Sequence, residues 1–298
     1  MTRGVVHAVR RGVARWQTAW FWLFFLAVPA AVVADVPVLV GLQVLAALLA
    51  LAFVRPPRSN RKPVGVPAPV RGRWVPINSP GSAVPSHGVL AYGQAYAIDV
   101  LHPRPTGAPR ALGWGLHTRA AAEHSCFGEP VLAVAAGTVV AATGGQRDHR
   151  ARDTWPALAW MFAAGAAREL GGSRWILGNH VVIAHQDGTC SAYAHLRRGS
   201  LRVRRGDRVE TGQQLAEVGN SGNTSEPHLH FQLMDRPTPC AAAGVPFRWV
   251  DAEVLDGEVD ATWVRPASGR AAQSAVEGVP ANGQVFRVPA AAETAATR

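Results

Sequence analysis

The sequence predicts a mostly β protein, a compact curved antiparallel sheet of short hairpins with one inserted helix, preceded by an N-terminal pair of apolar helices. From residue 84 to 256 the chain breaks into short β-rich runs separated by Gly, Asp and Asn turns. One interruption, 144–178, instead carries helix start and stop signals. Ahead of both, residues 19–54 form an apolar run of 36 residues broken only by Asp35 and Gln43.

A single helix of that length would rise roughly 54 Å, well over the ~30 Å hydrocarbon core of a bilayer. Two transmembrane helices within 17–54, turning at Asp35-Val36-Pro37, fit better. They are flanked by a basic segment, 1–16, and a basic Pro-rich linker, 55–83. A cleavable leader ending near Ala34 is the competing reading; Trp20, Trp22 and the immediate second apolar run favour retention.

The net charge of +10 belongs mostly to this region. Residues 1–73 hold ten basic side chains and one acid, leaving 20 basic and 19 acidic for 74–298. The excess suits anionic lipid headgroups. No basic stripe with interleaved aromatics marks the rest, so nucleic acid is not an expected partner.

Within 84–256, GEPVLAVAAGTVVAAT (128–143) reads as a strand, a Gly turn and a strand. NHVVIAHQDGTCSAYAHL (179–196) is a hairpin about Asp187-Gly188. Strand alternation places Tyr193 and His195 on one face. VRRGDRVETGQQLAEV (203–218) reads as two more short strands folded about Arg205-Gly206-Asp207 and Thr211-Gly212. That Arg-Gly-Asp tripeptide is a plain turn. The first insertion, 101–127, contains a small helical turn near 119–123. The second contains a helix framed by Thr154 as cap, Pro156 in the first turn and Gly171-Gly172 at the end. Residues 257–298 read as a flexible tail with one β-like piece, GQVFRV, and a disordered last ten residues.

The chemistry concentrates in GNSGNTSEPHLHF (219–231). In a strand, His228 and His230 share a face roughly 6–7 Å apart while Leu229 points away. One imidazole can bind a metal and the other stand beside it over a substrate, as zinc hydrolysis requires. The same spacing also fits two ordinary strand histidines.

The motifs AIDV, GEPVLAVAAGTVV, GNHVVIAH, YAHL and VRRGDRVETGQQLAEVGNSGNTSEPHLHF, in that order, resemble the lysostaphin-type zinc metallopeptidases, a family of peptidoglycan-cleaving endopeptidases. The resemblance spans roughly 84–250 and implies the lysostaphin-type β-core. It implies one Zn2+ held by His87, Asp99 and His230, with His195 and His228 serving the reaction. The implied substrate is a peptide cross-link or stem of peptidoglycan. One departure stands out: the family's usual first ligand lies four residues before the aspartate, where this chain has Ala95. His87, twelve residues upstream, takes that role as a loop-separated variant, with His102 and His117 in reserve. Basic flanks on both sides of the apolar hairpin place both its ends in the cytoplasm. A peptidoglycan substrate places the catalytic domain outside the cell membrane, and the extracytoplasmic side is preferred.

Among the other histidines, His185 is expected to pack beside the site and His180 to lie at the surface or in a lid. His7, His124 and His149 have no partner at ligand spacing. Cys126, Cys190 and Cys240 lack metal or redox spacing and read as buried thiols, although an extracytoplasmic Cys126–Cys240 bridge is allowed. The alternative function is an inactive wall-binding or activator module on the same fold. A lipoyl-type carrier fails because Lys62 is the only lysine and lies in the membrane flank.

Overall fold

The computed structural model describes residues 3–105, 112–264 and 275–290. Three helices come first: α1 (Arg3–Arg15), α2 (Gln17–Val33) and α3 (Val38–Ala52). α2 and α3 pack as a hairpin that turns at Asp35, whose φ of 49° is left-handed. The turn therefore falls where the sequence indicates. Among the described residues no single helix is long and apolar enough to cross a membrane; α1 and α2 pass such a test only as a pair bent by 59°. α2 and α3, of 17 and 15 residues, reach about 25 and 22 Å at 1.5 Å per residue. The transmembrane expectation thus reduces to an apolar hairpin with Leu26, Val32, Val33, Val38 and Leu39 exposed.

Both ends of this hairpin meet α1, which in turn touches the β-domain. Arg11 Nη2 lies 2.6 Å from Asp235, and Arg11 Nη1 donates to the Ala241 carbonyl at 2.9 Å. Arg10 Nε donates to the Arg55 carbonyl at 3.1 Å.

Fourteen strands follow among the described residues: β1 (Val64–Val66), β2 (Gly72–Ile77), β3 (Ile98–Leu101), β4 (Pro130–Leu132), β5 (Gly137–Thr143), β6 (His180–Ala184), β7 (Cys190–Ala194), β8 (Arg208–Val209), β9 (Gln214–Glu217), β10 (Leu229–Met234), β11 (Gly244–Val245), β12 (Phe247–Trp249), β13 (Glu253–Val259) and β14 (Gln284–Val288). The main sheet runs β13-β14-β2-β3-β10-β7-β6-β5-β8, with β11 also on β10, and every pair is antiparallel. Two small sheets, parallel β1-β12 and antiparallel β4-β9, complete it.

Three expectations change. Residues 55–83 are not only linker: β2 enters the main sheet between β3 and β14, and β1 pairs with β12. Residues 257–298 are not only tail, because GQVFRV becomes β14 with Phe286 paired to Trp74, both fully buried. Isolated turn and Pro content reads as loop, but distant edges supply the hydrogen bonds these segments need. The expected disorder of the last ten residues falls largely outside the described residues. Finally, 128–143 and 203–218 do not each close as a hairpin. β4 pairs with β9 and β5 with β8, so the two segments interlock.

The inserted helix forms as expected. α4 (Trp155–Glu169) starts at Thr154, whose hydroxyl accepts from Ala157 N at 3.4 Å. It is followed by α5 (Ser173–Leu177). A 3-10 turn covers Ala121–Glu123. The three cysteines are buried and free.

One face of the sheet packs the main core, including Trp74, Ile98, Tyr193, Leu229, Phe231, Phe247 and Phe286. Alternation puts Asp99, His230 and Gln232 on the other face, and their burial there requires polar partners.

Candidate metal centre and active site

β3 and β10 are adjacent, and their register sets Asp99 directly opposite His230. His230 Nδ1 lies 2.8 Å from Asp99 Oδ1. His87, on the turn before the 3-10 segment Ala91–Tyr96, brings Nε2 to 3.0 Å from Asp99 Oδ2. One ligand atom from each of the three residues lies within 4.8 Å of the others. Two imidazoles and one carboxylate form a donor set that suits a single zinc ion and leaves room for a fourth ligand.

The hydrogen bonds behind the ligands match that role. Ser86 Oγ donates to the Ala97 carbonyl at 2.6 Å, so toward His87 Nδ1, 3.1 Å away, it accepts. His87 thus keeps its proton on Nδ1 and offers the Nε2 lone pair. His230 Nε2 faces Gln232 Oε1 at 2.8 Å, which leaves Nδ1 for a metal. Asn78 Nδ2 donates to Asp99 Oδ2 at 2.8 Å. Burial opposes the charge on Asp99, but His87, His228 and His230 outweigh it and hold its carboxyl well below the usual range. Burial also works against a charged His230, yet its bond to Asp99 draws its pKa above the usual imidazole value.

His195 and His228 close the other side. Their ring centroids are 4.8 Å apart, and His195 is 5.7 Å from the His230 ring. His195 Nδ1 donates to the Ser221 carbonyl at 2.8 Å, and His228 Nδ1 to the Glu226 carbonyl at 2.7 Å. Both rings therefore commit Nδ1–H to the backbone and keep Nε2 for chemistry. Nε2 of His228 is 3.6 Å from Asp99 Oδ1. Burial, followed by the charges of His228 and His230, holds the His195 pKa well below the usual value, so this ring is neutral at pH 7.

His195 reaches this position against the sequence expectation. Tyr193 stands opposite Phe231, on the core face. Simple alternation would send His195 there too. β7 ends at Ala194, and His195 takes a left-handed φ of 62°, which separates its direction from that of Tyr193. The loop that receives it is closely packed. Gly178 (φ 67°) and Gly222 (φ 81°) approach so tightly that a Cβ on either would meet the other segment's backbone at 2.5 Å. The same segment carries the Ser221 carbonyl that accepts from His195 Nδ1.

Of the sequence-selected residues, His87, Asp99, His195, His228 and His230 converge. The reserves do not. His102 stacks on Trp74 at 4.4 Å, and His117 is exposed. His180 is buried and folds back on the Gly178 carbonyl at 2.7 Å, which corrects the surface or lid expectation. His185 bonds the Ala136 carbonyl and Ser191 Oγ, each at 2.9 Å. His124 has Nδ1 3.5 Å from Glu226, and His149 Nε2 is 3.2 Å from Arg168. Sequence reasoning missed Asn78, Ser86, Ser221 and Gln232. Only Gln232 carried a signal, as the next same-face position after His228 and His230.

Comparison with known proteins agrees with this arrangement. Residues 161–241 match the model of peptidase family M23, a segment that includes His195, His228 and His230. The chain is 43% identical over 61 residues to the cell division protein DipM of Caulobacter vibrioides, covering 20% of this chain and 10% of that protein. It is 38% identical over 65 residues to the peptidoglycan DD-endopeptidase ShyA of Vibrio cholerae, covering 22% and 15%. The chain therefore spans a small part of the length of these relatives. The catalytic domain of lysostaphin from Staphylococcus simulans aligns at 22% identity and a TM-score of 0.27, covering 46% of this chain and 86% of that one. Residues 161–241 thus match peptidase family M23, and the His/Asp cluster of the chain fits the single zinc site of a peptidase of that family.

Proposed function

We propose that this protein is a membrane-anchored zinc metalloendopeptidase that hydrolyses peptide bonds in peptidoglycan cross-links or stem peptides. The convergence of the His87/Asp99/His230 cluster with the free Nε2 atoms of His195 and His228 carries this reading. The relative named as a peptidoglycan DD-endopeptidase supports the substrate class.

When bound, zinc supplies a water of pKa about 7 and polarises the scissile carbonyl. His87, Asp99 and His230 hold it. His195, kept neutral by burial, accepts a proton at Nε2 from the attacking water. His228, fixed by the Glu226 carbonyl and facing His195, serves in proton handling or in stabilising the developing oxyanion.

Residues 17–54 act as the anchor and 84–256 as the catalytic unit, joined by 55–83, with β2 and β14 completing the sheet. The exposed apolar surfaces of α2 and α3 support insertion in a bilayer, as does the outward apolar face of α4, with Trp155, Trp160 and Phe162 exposed. α1 touches the β-domain and Arg55, just after α3, bonds back to α1, which supports a common side of the membrane for α1, the linker and the catalytic unit. For a wall substrate that side is extracytoplasmic.

Incubating the full-length chain with peptidoglycan and measuring new free amino groups tests the activity; zinc-loaded protein that releases none sinks it. Labelling Arg3→Cys and Arg58→Cys variants in intact cells with an impermeant thiol reagent tests the anchor. Equal labelling of both is expected, and protection of both places the domain inside and removes peptidoglycan as substrate.

A further inference from the structure

The protein's buried polar groups form a line from the N-terminal helices to the metal cluster. Gln232 is fully buried. Its Nε2 donates to the Tyr92 carbonyl at 2.8 Å, and its Oε1 lies 2.8 Å from His230 Nε2. Only one orientation of the amide satisfies both contacts. The Tyr92 carbonyl needs a donor, so the oxygen must face His230 and accept its Nε2–H. That leaves Nδ1, 2.8 Å from Asp99 Oδ1, as the ring nitrogen that can give up its proton to a metal.

The Tyr92 carbonyl is held in an unusual place. Tyr92 (φ 57°) and Gly93 (φ 73°) are consecutive left-handed residues. A bulky residue adopts this backbone only where surroundings enforce it. A Cβ on Gly93 would lie 2.9 Å from Met234, so the turn rests directly on β10. From the other side, the Tyr92 hydroxyl donates to Glu169 Oε2 in the last turn of α4. Gln17 Nε2, at the start of α2, lies 3.3 Å from the same carboxylate oxygen and 3.5 Å from the Tyr92 hydroxyl. Trp22 Nε1 bonds the Leu170 carbonyl at 2.9 Å and ties α2 to the end of α4. Gln17 and Tyr92 are both buried. Burial, then Glu169, keeps the phenol protonated and therefore a donor.

We propose that Gln232 and Tyr92 are positioning residues for the metal ligand His230, and that Glu169 of α4 and Gln17 of α2 clamp Tyr92 in place. The inserted helix and the anchor hairpin thereby set the geometry of the metal site. This rests on the reading of His230 as a zinc ligand.

Zinc affinity of the full-length chain in detergent micelles, measured by competition with a chromogenic chelator, tests the relay, with thermal melts of the same samples with and without zinc. Gln232→Leu should weaken zinc binding about 10- to 100-fold, the usual effect of losing an outer partner of a ligand histidine. Gln232→Glu keeps an acceptor for Nε2–H but loses the donor to the Tyr92 carbonyl, and should bind zinc more weakly than the parent and more tightly than Gln232→Leu. Tyr92→Phe keeps the carbonyl but loses the clamp, and should weaken binding about 2- to 30-fold. In the Gln232→Leu background the same change should add nothing further, because both act through one contact. Tyr92→Phe that lowers the melting temperature and leaves zinc affinity untouched, or a fully additive double variant, overturns the relay. A parent chain that binds zinc no better than His230→Ala overturns the ligand reading beneath it.

Discussion

His195 and His228 face each other with ring centroids 4.8 Å apart, each pinned through Nδ1 to a main-chain carbonyl, Ser221 for one and Glu226 for the other. His228 Nε2 lies 3.6 Å from Asp99 Oδ1, and the His195 ring lies 5.7 Å from that of His230. The proposed mechanism gives proton transfer and metal binding to separate side chains. His195→Ala and His228→Ala should each retain zinc and lose about 10²–10⁴-fold in turnover on peptidoglycan. Zinc content by atomic absorption beside a hydrolysis rate separates the two; loss of zinc from either variant sinks the division of roles.

The ligand set predicts the converse. His87→Ala, Asp99→Ala and His230→Ala should each lower zinc content from about one per chain toward zero. Removing zinc with a chelator should lower the melting temperature of the parent, because a ligand that binds only the folded state stabilises it. Full occupancy in His87→Ala would show that the twelve-residue loop before Asp99 does not bring the first ligand.

Acid should destabilise the fold partly through His149. Burial, then Arg152, Arg168 and Arg147, lowers its pKa to about 4. The unfolded ring, with a pKa near 6.5, binds its proton first as pH falls. Stability from this group is complete above about 6.5 and declines down to about 4. His149→Gln, which retains an acceptor for Arg168 but does not titrate, should flatten the fall in melting temperature between pH 6.5 and 4. An unchanged slope would show that other groups carry the acid loss.

Tyr193, two residues before His195, ties β7 to the segment between β4 and β5, because its hydroxyl accepts from Val134 N at 2.8 Å with both residues buried. Tyr193→Phe should destabilise by about 1–3 kcal/mol, the cost of a buried backbone N–H left without an acceptor. Denaturant titration measures it, and a difference below about 0.5 kcal/mol, the usual scale of a surface change, would show that the donor finds another partner.

Local and periodic features can be read directly from the chain. Alternation set His228 and His230 on one face and Leu229 on the other, and turn residues marked the Asp187-Gly188 hairpin. The Thr154 cap and Pro156 marked α4. The 36-residue apolar run was legible as a hairpin about Asp35. The ordered motifs marked Asp99, His195, His228 and His230, and His87 was assigned as a loop-separated first ligand upstream of them. The tertiary structure decided what depends on distant chain. It paired β2 with β3 and β14, interlocked β4 with β9 and β5 with β8, and so drew the presumed linker and tail into the fold. Backbone groups of a strand require partners, and sequence does not say which edge provides them. It also turned His195 away from the face of Tyr193 through one left-handed residue, held by the close approach of Gly178 and Gly222. Period-two reasoning holds only while the backbone stays extended. Gln232, Tyr92, Glu169 and Gln17 became visible as a connected line only when four separate segments met, because a hydrogen bond is set by position in space and leaves no spacing in the chain.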